Sequence, residues 1–68
     1  MAAVKIIELI GTSSKSSDDA VQQALAEAKK SLRGIKAVDV QSIGLRGGNL
    51  DEWRALVRVA FLVERVNE

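Results

Sequence analysis

The chain has 68 residues and no cysteine or histidine, so disulfide bonds are excluded and only carboxylates remain as zinc ligands. Ten lysines and arginines nearly balance nine acidic residues, which argues against a general nucleic-acid binder. The longest apolar run, Val59 to Val63, is far shorter than the about 20 residues of a membrane span, and the N-terminus lacks the pattern of a secretory signal. We therefore expect a cytoplasmic protein with neither a membrane nor a nucleic acid as partner.

The first strand is predicted over Val4 to Ile10, a stretch rich in β-branched residues that ends at Gly11. Ser16, with Asp19 three residues later, resembles a capping box and predicts a helix over about residues 18–33. The helix has one apolar stripe, made shallow by its alanines: Ala20, Val21, Ala24, Leu25, Ala28 and Leu32.

The helix is predicted to end at Gly34, a natural C-terminal cap. A second strand over Ile35 to Leu45 and a third over Trp53 to Val63 follow, joined by the glycine-rich turn at residues 46–49. Because the helix returns the chain, the first strand pairs most simply with the third. The prediction is one α+β domain over residues 1–68, with an antiparallel sheet of strand order 1-3-2.

The third strand is apolar on both sides, whereas a half-covered strand should alternate apolar and polar residues. One side carries Trp53, Ala55, Val57, Val59, Phe61 and Val63, and the other carries Leu56, Ala60 and Leu62 with Arg54 and Arg58. A single helix covers one face of a sheet, so the second face needs a cover from outside the chain. Because a core this small seldom gives more than about 3–5 kcal/mol of net stability, we expect subunits to associate.

Catalysis is not expected, because the commonest general base and the strongest nucleophile are both missing. The glycine-rich residues 44–49 lead into a strand, whereas phosphate-binding loops lead into a helix, so a hairpin turn is the better interpretation. Trp53 has two interpretations, packing at an interface or stacking on a flat ligand. Arg54 and Arg58 either pair with carboxylates of a neighbouring subunit or bind an anionic ligand.

Three stretches of the chain resemble the dodecin family: Lys5–Ser13 (KIIELIGTS), the alanine-rich helix from Ala20 to Leu32, and Val57–Phe61 (VRVAF). The resemblance implies a three-stranded antiparallel sheet wrapping one helix, assembled into a hollow homododecamer. It also implies that flavins or related flat aromatic compounds bind in pairs between subunits. Dodecins are regarded as storage or sequestering proteins rather than enzymes.

The chain departs from the family at the flavin site that the resemblance implies. Ala37 stands where the family has the tryptophan that stacks on the flavin, and Arg54 replaces a glutamine that hydrogen-bonds the ring. Gln41 and Arg46 are the other residues expected to line this pocket. Binding of riboflavin, FMN or FAD is therefore predicted to be weak or absent, unless Trp53 substitutes for the missing indole.

Calcium is the alternative ligand. Some dodecin-like proteins that lack the tryptophan are associated with calcium, which prefers carboxylate oxygens. The candidate ligands are Asp39, Asp51 and Glu52, although the chain has no EF-hand spacing. The second hypothesis is therefore a structural or calcium-stabilised shell without a flavin.

Overall fold

The computed structural model describes residues 2–64, and its elements follow the predicted order β-α-β-β. They are β1 (Ala2–Ser13), α1 (Ser17–Ser31), β2 (Ile35–Arg46) and β3 (Glu52–Glu64). The strands extend a few residues beyond their predicted ends because polar residues continue the pairing; Thr12 and Ser13, for example, lie opposite Arg54 and Trp53. Among these residues, no helix is long and apolar enough to cross a membrane.

The sheet is antiparallel with the order β1-β3-β2, as predicted. Val59 at the centre of β3 lies opposite Ile7 of β1 and Val38 of β2, so all three strands place aliphatic residues on one face. The pairing of β2 with β3 is irregular at two points, next to Ile35 and next to Val40. Such bulges shift the register of a strand and increase its twist.

Helix α1 covers one face of the sheet at very short distance. Its alanines pack against small residues of β3, and the fully buried set is Ala20, Ala24, Ala28, Ala55, Val57 and Val59. A Cβ atom at Gly11 of β1 would lie 1.9 Å from the carbonyl oxygen of Ala20. The alanine stripe and this glycine together therefore set the close approach of helix and sheet.

The start of α1 confirms Ser16 as the N-cap. Its hydroxyl accepts a hydrogen bond from the backbone N–H of Asp19 at 3.0 Å. The reciprocal half of the predicted capping box is replaced, because the Asp19 carboxylate accepts from the hydroxyl of Ser13 at 2.5 Å. This contact ties the end of β1 to the first turn of the helix.

The helix ends earlier than predicted, and Gly34 is not its cap. Leu32 has an extended backbone, and its N–H donates to the carbonyl of Ala28 at 2.9 Å. Gly34 lies two residues further on with φ 69°. Its carbonyl accepts from the N–H of Leu62 at 2.9 Å, so this left-handed glycine starts the path into β2.

Candidate functional site

The face of the sheet turned away from α1, which we call the outer face, stays open in the single chain. Cross-strand partners share a face, and the register assigns three rows to it. They are Val4, Ile6, Glu8, Ile10 and Thr12 on β1; Glu52, Arg54, Leu56, Arg58, Ala60 and Leu62 on β3; and Ala37, Asp39, Ser42, Gly44 and Arg46 on β2. Val4, Ile6 and Ile10 are 58–59% exposed, a pattern typical of an interaction surface.

A belt of charge crosses the middle of the outer face. Arg58 on β3 lies opposite Glu8 of β1 on one side and Asp39 of β2 on the other. The Nε atom of Arg58 donates to Oε2 of Glu8 at 3.0 Å, and both side chains are about half exposed. Arg58 therefore finds a carboxylate within its own chain, without a neighbouring subunit.

A shallow depression lies at the hairpin end of the outer face. Its volume is about 290 Å³, and it is lined by Ile10, Ser42, Ile43, Gly44, Arg46, Arg54 and Leu56. Two of the predicted pocket residues, Arg46 and Arg54, are thus brought together. Sequence reasoning missed Ser42 and Gly44, because only the shifted register after Val40 places them beside Leu56 and Arg54.

The two arginines line the depression from neighbouring strands, and Nη1 of Arg46 donates to the carbonyl of Leu45 at 3.0 Å. The Arg46 side chain folds back over Gly44, since a Cβ atom there would lie 2.9 Å from Nη1 of Arg46. Gly44 pairs directly with Arg54. The Nε atom of Arg54 lies 3.5 Å from Oε2 of Glu52, yet it is buried and has no hydrogen-bond partner among the described residues.

The family model for Dodecin matches residues 3–64. This chain belongs to the dodecin family. It is 37% identical to a dodecin of Thermus thermophilus over 62 residues, which cover 88% of this chain and 90% of that protein. A crystal structure of a protein from the same organism superposes with a TM-score of 0.85 at 34% identity, covering 97% of this chain and 100% of the other.

A more distant structure shares the fold alone. It is described as the calcium-chelating antigen calcium dodecin of Mycobacterium tuberculosis, with a novel calcium-binding site. Its TM-score is 0.82 at 24% identity, and the match covers 97% of each chain.

Ala37 of this dodecin lies far from the arginine pair within one chain. It pairs with Ala60, whereas Gly44 in the depression pairs with Arg54, six residues away along β3. At a rise of about 3.3 Å per residue the separation is roughly 20 Å. Gln41 falls at the register shift between Val40 and Ser42, also outside the lining of the depression.

Trp53 lies on the opposite face of the sheet from Arg54. It pairs with Ser13 and Leu45 and packs, partly buried, against the core beneath α1. The structure therefore shows a packing role for this indole. Substituting for the stacking tryptophan at the Ala37 position would require the side chain to cross the sheet.

The candidate calcium ligands of this dodecin do not converge within one chain. Asp39 lies opposite Arg58, whereas Glu52 lies opposite Arg46, again six residues apart on β3 and roughly 20 Å away. Asp51 and Glu52 are adjacent in sequence at the hairpin end. No group of three acidic side chains that could hold a metal ion occurs among the described residues.

Proposed function

We propose that this dodecin is a non-catalytic homo-oligomer, a dodecameric shell, that binds and sequesters small flat aromatic ligands of the flavin class. The observation that carries the proposal is the exposed outer face, which combines unpaired aliphatic surface with a depression large enough for part of a ligand. Family membership supports both the assembly and the ligand class.

Assembly and ligand binding are coupled in this proposal. Ala37 and Arg54 lie roughly 20 Å apart within one chain, so a pocket that contains both takes them from different subunits. The aliphatic side chains of the outer face, Ile6 among them, would be covered in the same event. Light scattering at micromolar concentration should then report a mass near twelve subunits, and a monodisperse monomer would contradict the proposal.

Sequestration suits the chemistry of the depression better than catalysis. Its polar side chains are one hydroxyl, Ser42, and two guanidinium groups, Arg46 and Arg54. A guanidinium stays protonated and does not act as a general base, and Ser42 has no histidine to activate it. These groups hold and orient a ligand.

Weak affinity for flavins is expected because Ala37 offers a methyl group in place of an indole face. Stacking on an aromatic face adds about 0.5–1.5 kcal/mol beyond the area that it buries. Restoring the face with Ala37→Trp should lower the dissociation constant for riboflavin roughly tenfold, once the added buried area is included. Quenching of riboflavin fluorescence during titration of the assembled protein measures this change.

Ala26→Trp is the matched control, since Ala26 is exposed on α1 and an indole there should leave riboflavin affinity unchanged. An equal dissociation constant for wild type and Ala37→Trp would count against a flavin pocket at this position. FMN and FAD titrated in parallel show how the pocket tolerates the larger flavins.

A calcium-stabilised shell without a flavin is the second proposal, supported by the calcium-chelating relative of the same fold. Asp51 and Glu52 would supply ligands from the hairpin end of one subunit, and Asp39 would come from another subunit. Within one chain Asp39 lies too far from Glu52 to share an ion with it. Calcium should then raise the melting temperature relative to EGTA, while magnesium should not. A protein that leaves riboflavin fluorescence unchanged but shows this calcium effect supports the shell.

A further inference from the structure

Leu50, in the turn between β2 and β3, has a backbone conformation that leucine rarely adopts. Its φ is 54°, in the left-handed region that glycine and asparagine occupy more easily. Its N–H donates to the carbonyl of Gly47 at 3.1 Å and closes the turn, a contact that any residue except proline would make. The turn itself therefore does not require a leucine side chain at this position.

The side chain of Leu50 also lacks a cover within its own chain. It is 62% exposed, more than any other large apolar side chain among the described residues. Residues held in a sparsely populated backbone region often serve a function at the place where they occur. An unfavourable backbone and an exposed apolar side chain at one residue together indicate a contact outside the chain.

A second uncovered apolar surface lies on the inner face, along the hairpin half of β2. Val40, Ile43 and Leu45 lie opposite inner-face residues of β3, so they share the face that carries α1. The helix packs mainly against β1 and β3 and leaves this part of β2 open. These three side chains, which we call the open strip, stay 38–50% exposed.

We propose that Leu50 of one copy of the chain packs onto the open strip of a second copy. The inference rests on the proposed homo-oligomer and adds a contact to the association through the outer face. Both surfaces are aliphatic, so the contact removes apolar area from water without burying an unpaired charge.

The small size of this contact favours a second copy over a foreign protein. A stable interface buries about 800 Å² on each partner, and one leucine on three partly exposed side chains falls well short of that area. A foreign protein held by the open strip alone would therefore bind weakly. A copy that is already held through its outer face needs only this short additional contact.

Trp53 lies next to the open strip and reports whether the strip is covered. It is the only tryptophan of the chain, is partly buried and pairs with Leu45. A leucine side chain from a second copy would shield the indole from water. Acrylamide should therefore quench tryptophan fluorescence less in the assembled wild type than in assembled Leu50→Gly.

Two substitutions at Leu50 distinguish a contact between copies from a role in the turn. Leu50→Gly removes the side chain and makes a positive φ easy to adopt, so a role in the turn alone predicts unchanged or tighter assembly. The proposed contact predicts the opposite, with the protein concentration at half-assembly rising roughly tenfold. Leu50→Met keeps an apolar side chain of similar volume and should remain close to wild type. Light scattering on serial dilution measures these concentrations.

Asn49→Gly is the matched control. Asn49 is exposed in the same turn, and its replacement adds backbone freedom without removing an apolar side chain, so assembly should not change. Ile43→Thr tests the other side of the contact, because it keeps a β-branched strand residue but reduces the apolar surface of the open strip. Combined with Leu50→Gly, it should weaken assembly little more than either substitution alone, since both remove the same contact.

Circular dichroism confirms that each variant keeps its helix. If Ile43→Thr fails to fold, the comparison of Leu50→Gly with Asn49→Gly still decides the question. Equal half-assembly concentrations and equal quenching for wild type and Leu50→Gly would overturn the contact. Fully additive effects of Ile43→Thr and Leu50→Gly would overturn the open strip as the surface that Leu50 meets.

Riboflavin titration of the same samples separates this inference from the proposed function. A wild type that assembles and binds riboflavin, with no effect of Leu50→Gly, contradicts the Leu50 contact alone. An assembly that depends on Leu50 but binds no riboflavin supports the contact and contradicts the flavin function. A wild type that is monomeric at every concentration contradicts both.

Discussion

The two faces of the sheet differ sharply in how far the chain itself covers them. On the inner face, α1 reduces Ala55, Val57 and Val59 to zero exposure. On the outer face, Val4, Ile6 and Ile10 of the neighbouring strand remain 58–59% exposed. The same three strands therefore form a closed core on one side and an exposed apolar surface on the other.

Different residues of this chain therefore form the closed core and the uncovered surface. The fully buried part of the inner core consists of alanines and valines, and larger side chains such as Ile7, Leu9 and Trp53 are only partly buried against it, so the isolated subunit gains limited stability from this core. The outer face adds larger aliphatic groups, which contribute only when another surface covers them. We therefore expect substitutions beneath α1 to alter folding and those on the outer face to alter assembly.

Gly11→Ala should have the largest effect of any single methyl group added to the inner face. Its Cβ atom would lie 1.9 Å from the Ala20 carbonyl oxygen and 2.8 Å from the Ala24 nitrogen, both backbone atoms. The helix must move away from the sheet, and overpacking of this kind costs about 3 kcal/mol. Urea unfolding followed by circular dichroism measures the loss, with Gly48→Ala as the control that should remain within about 0.5 kcal/mol of wild type.

An unchanged urea midpoint for Gly11→Ala would mean that α1 does not lie as close to β1 as described. It would also remove the reason for the alanine stripe, since larger residues would then fill the gap between helix and sheet more favourably.

Ile6→Glu tests the outer face. It places a charge among aliphatic side chains that another subunit is expected to cover, and an unpaired buried charge is strongly unfavourable. Light scattering should show dissociation of the assembly, whereas circular dichroism should retain the helix because Ile6 lies on the face away from α1. Ala26→Glu adds the same charge at an exposed helix position and should leave the mass unchanged. An intact assembly of Ile6→Glu would show that this face stays in water.

The fold could be predicted from the sequence almost completely, because the signals that specify it are local. The serine and aspartate of the N-cap, the alanine stripe and the two-sided third strand each depend on residues within one element. The predicted end of the helix at Gly34 was wrong for a physical reason as well. Gly34 does adopt the left-handed backbone expected of it, but it serves the Leu62 contact after the helix has already ended.

The candidate site could be predicted only in part, because it depends on register and on other subunits. Arg46 and Arg54 both line the depression, whereas Ala37 and Gln41 do not, and the sequence could not reveal the shift after Val40 that places Gly44 opposite Arg54. Ala37 and Arg54 were predicted to line one pocket, but they lie roughly 20 Å apart within one chain. Only the assembled protein can therefore test this prediction.

Glu8→Gln, on the outer face, should have the smallest effect of these substitutions. Glu8 and Arg58 are about half exposed in the single chain, and Asp39 remains opposite Arg58 when the Glu8 charge is removed. Exposed ion pairs contribute about 0–1 kcal/mol, so the loss should stay near 0.5 kcal/mol and vanish in high salt. Urea unfolding at low and high salt measures it. A loss of several kcal/mol that salt does not reduce would mean that the belt is buried between subunits, because removing one member of a buried pair leaves its partner's charge uncompensated.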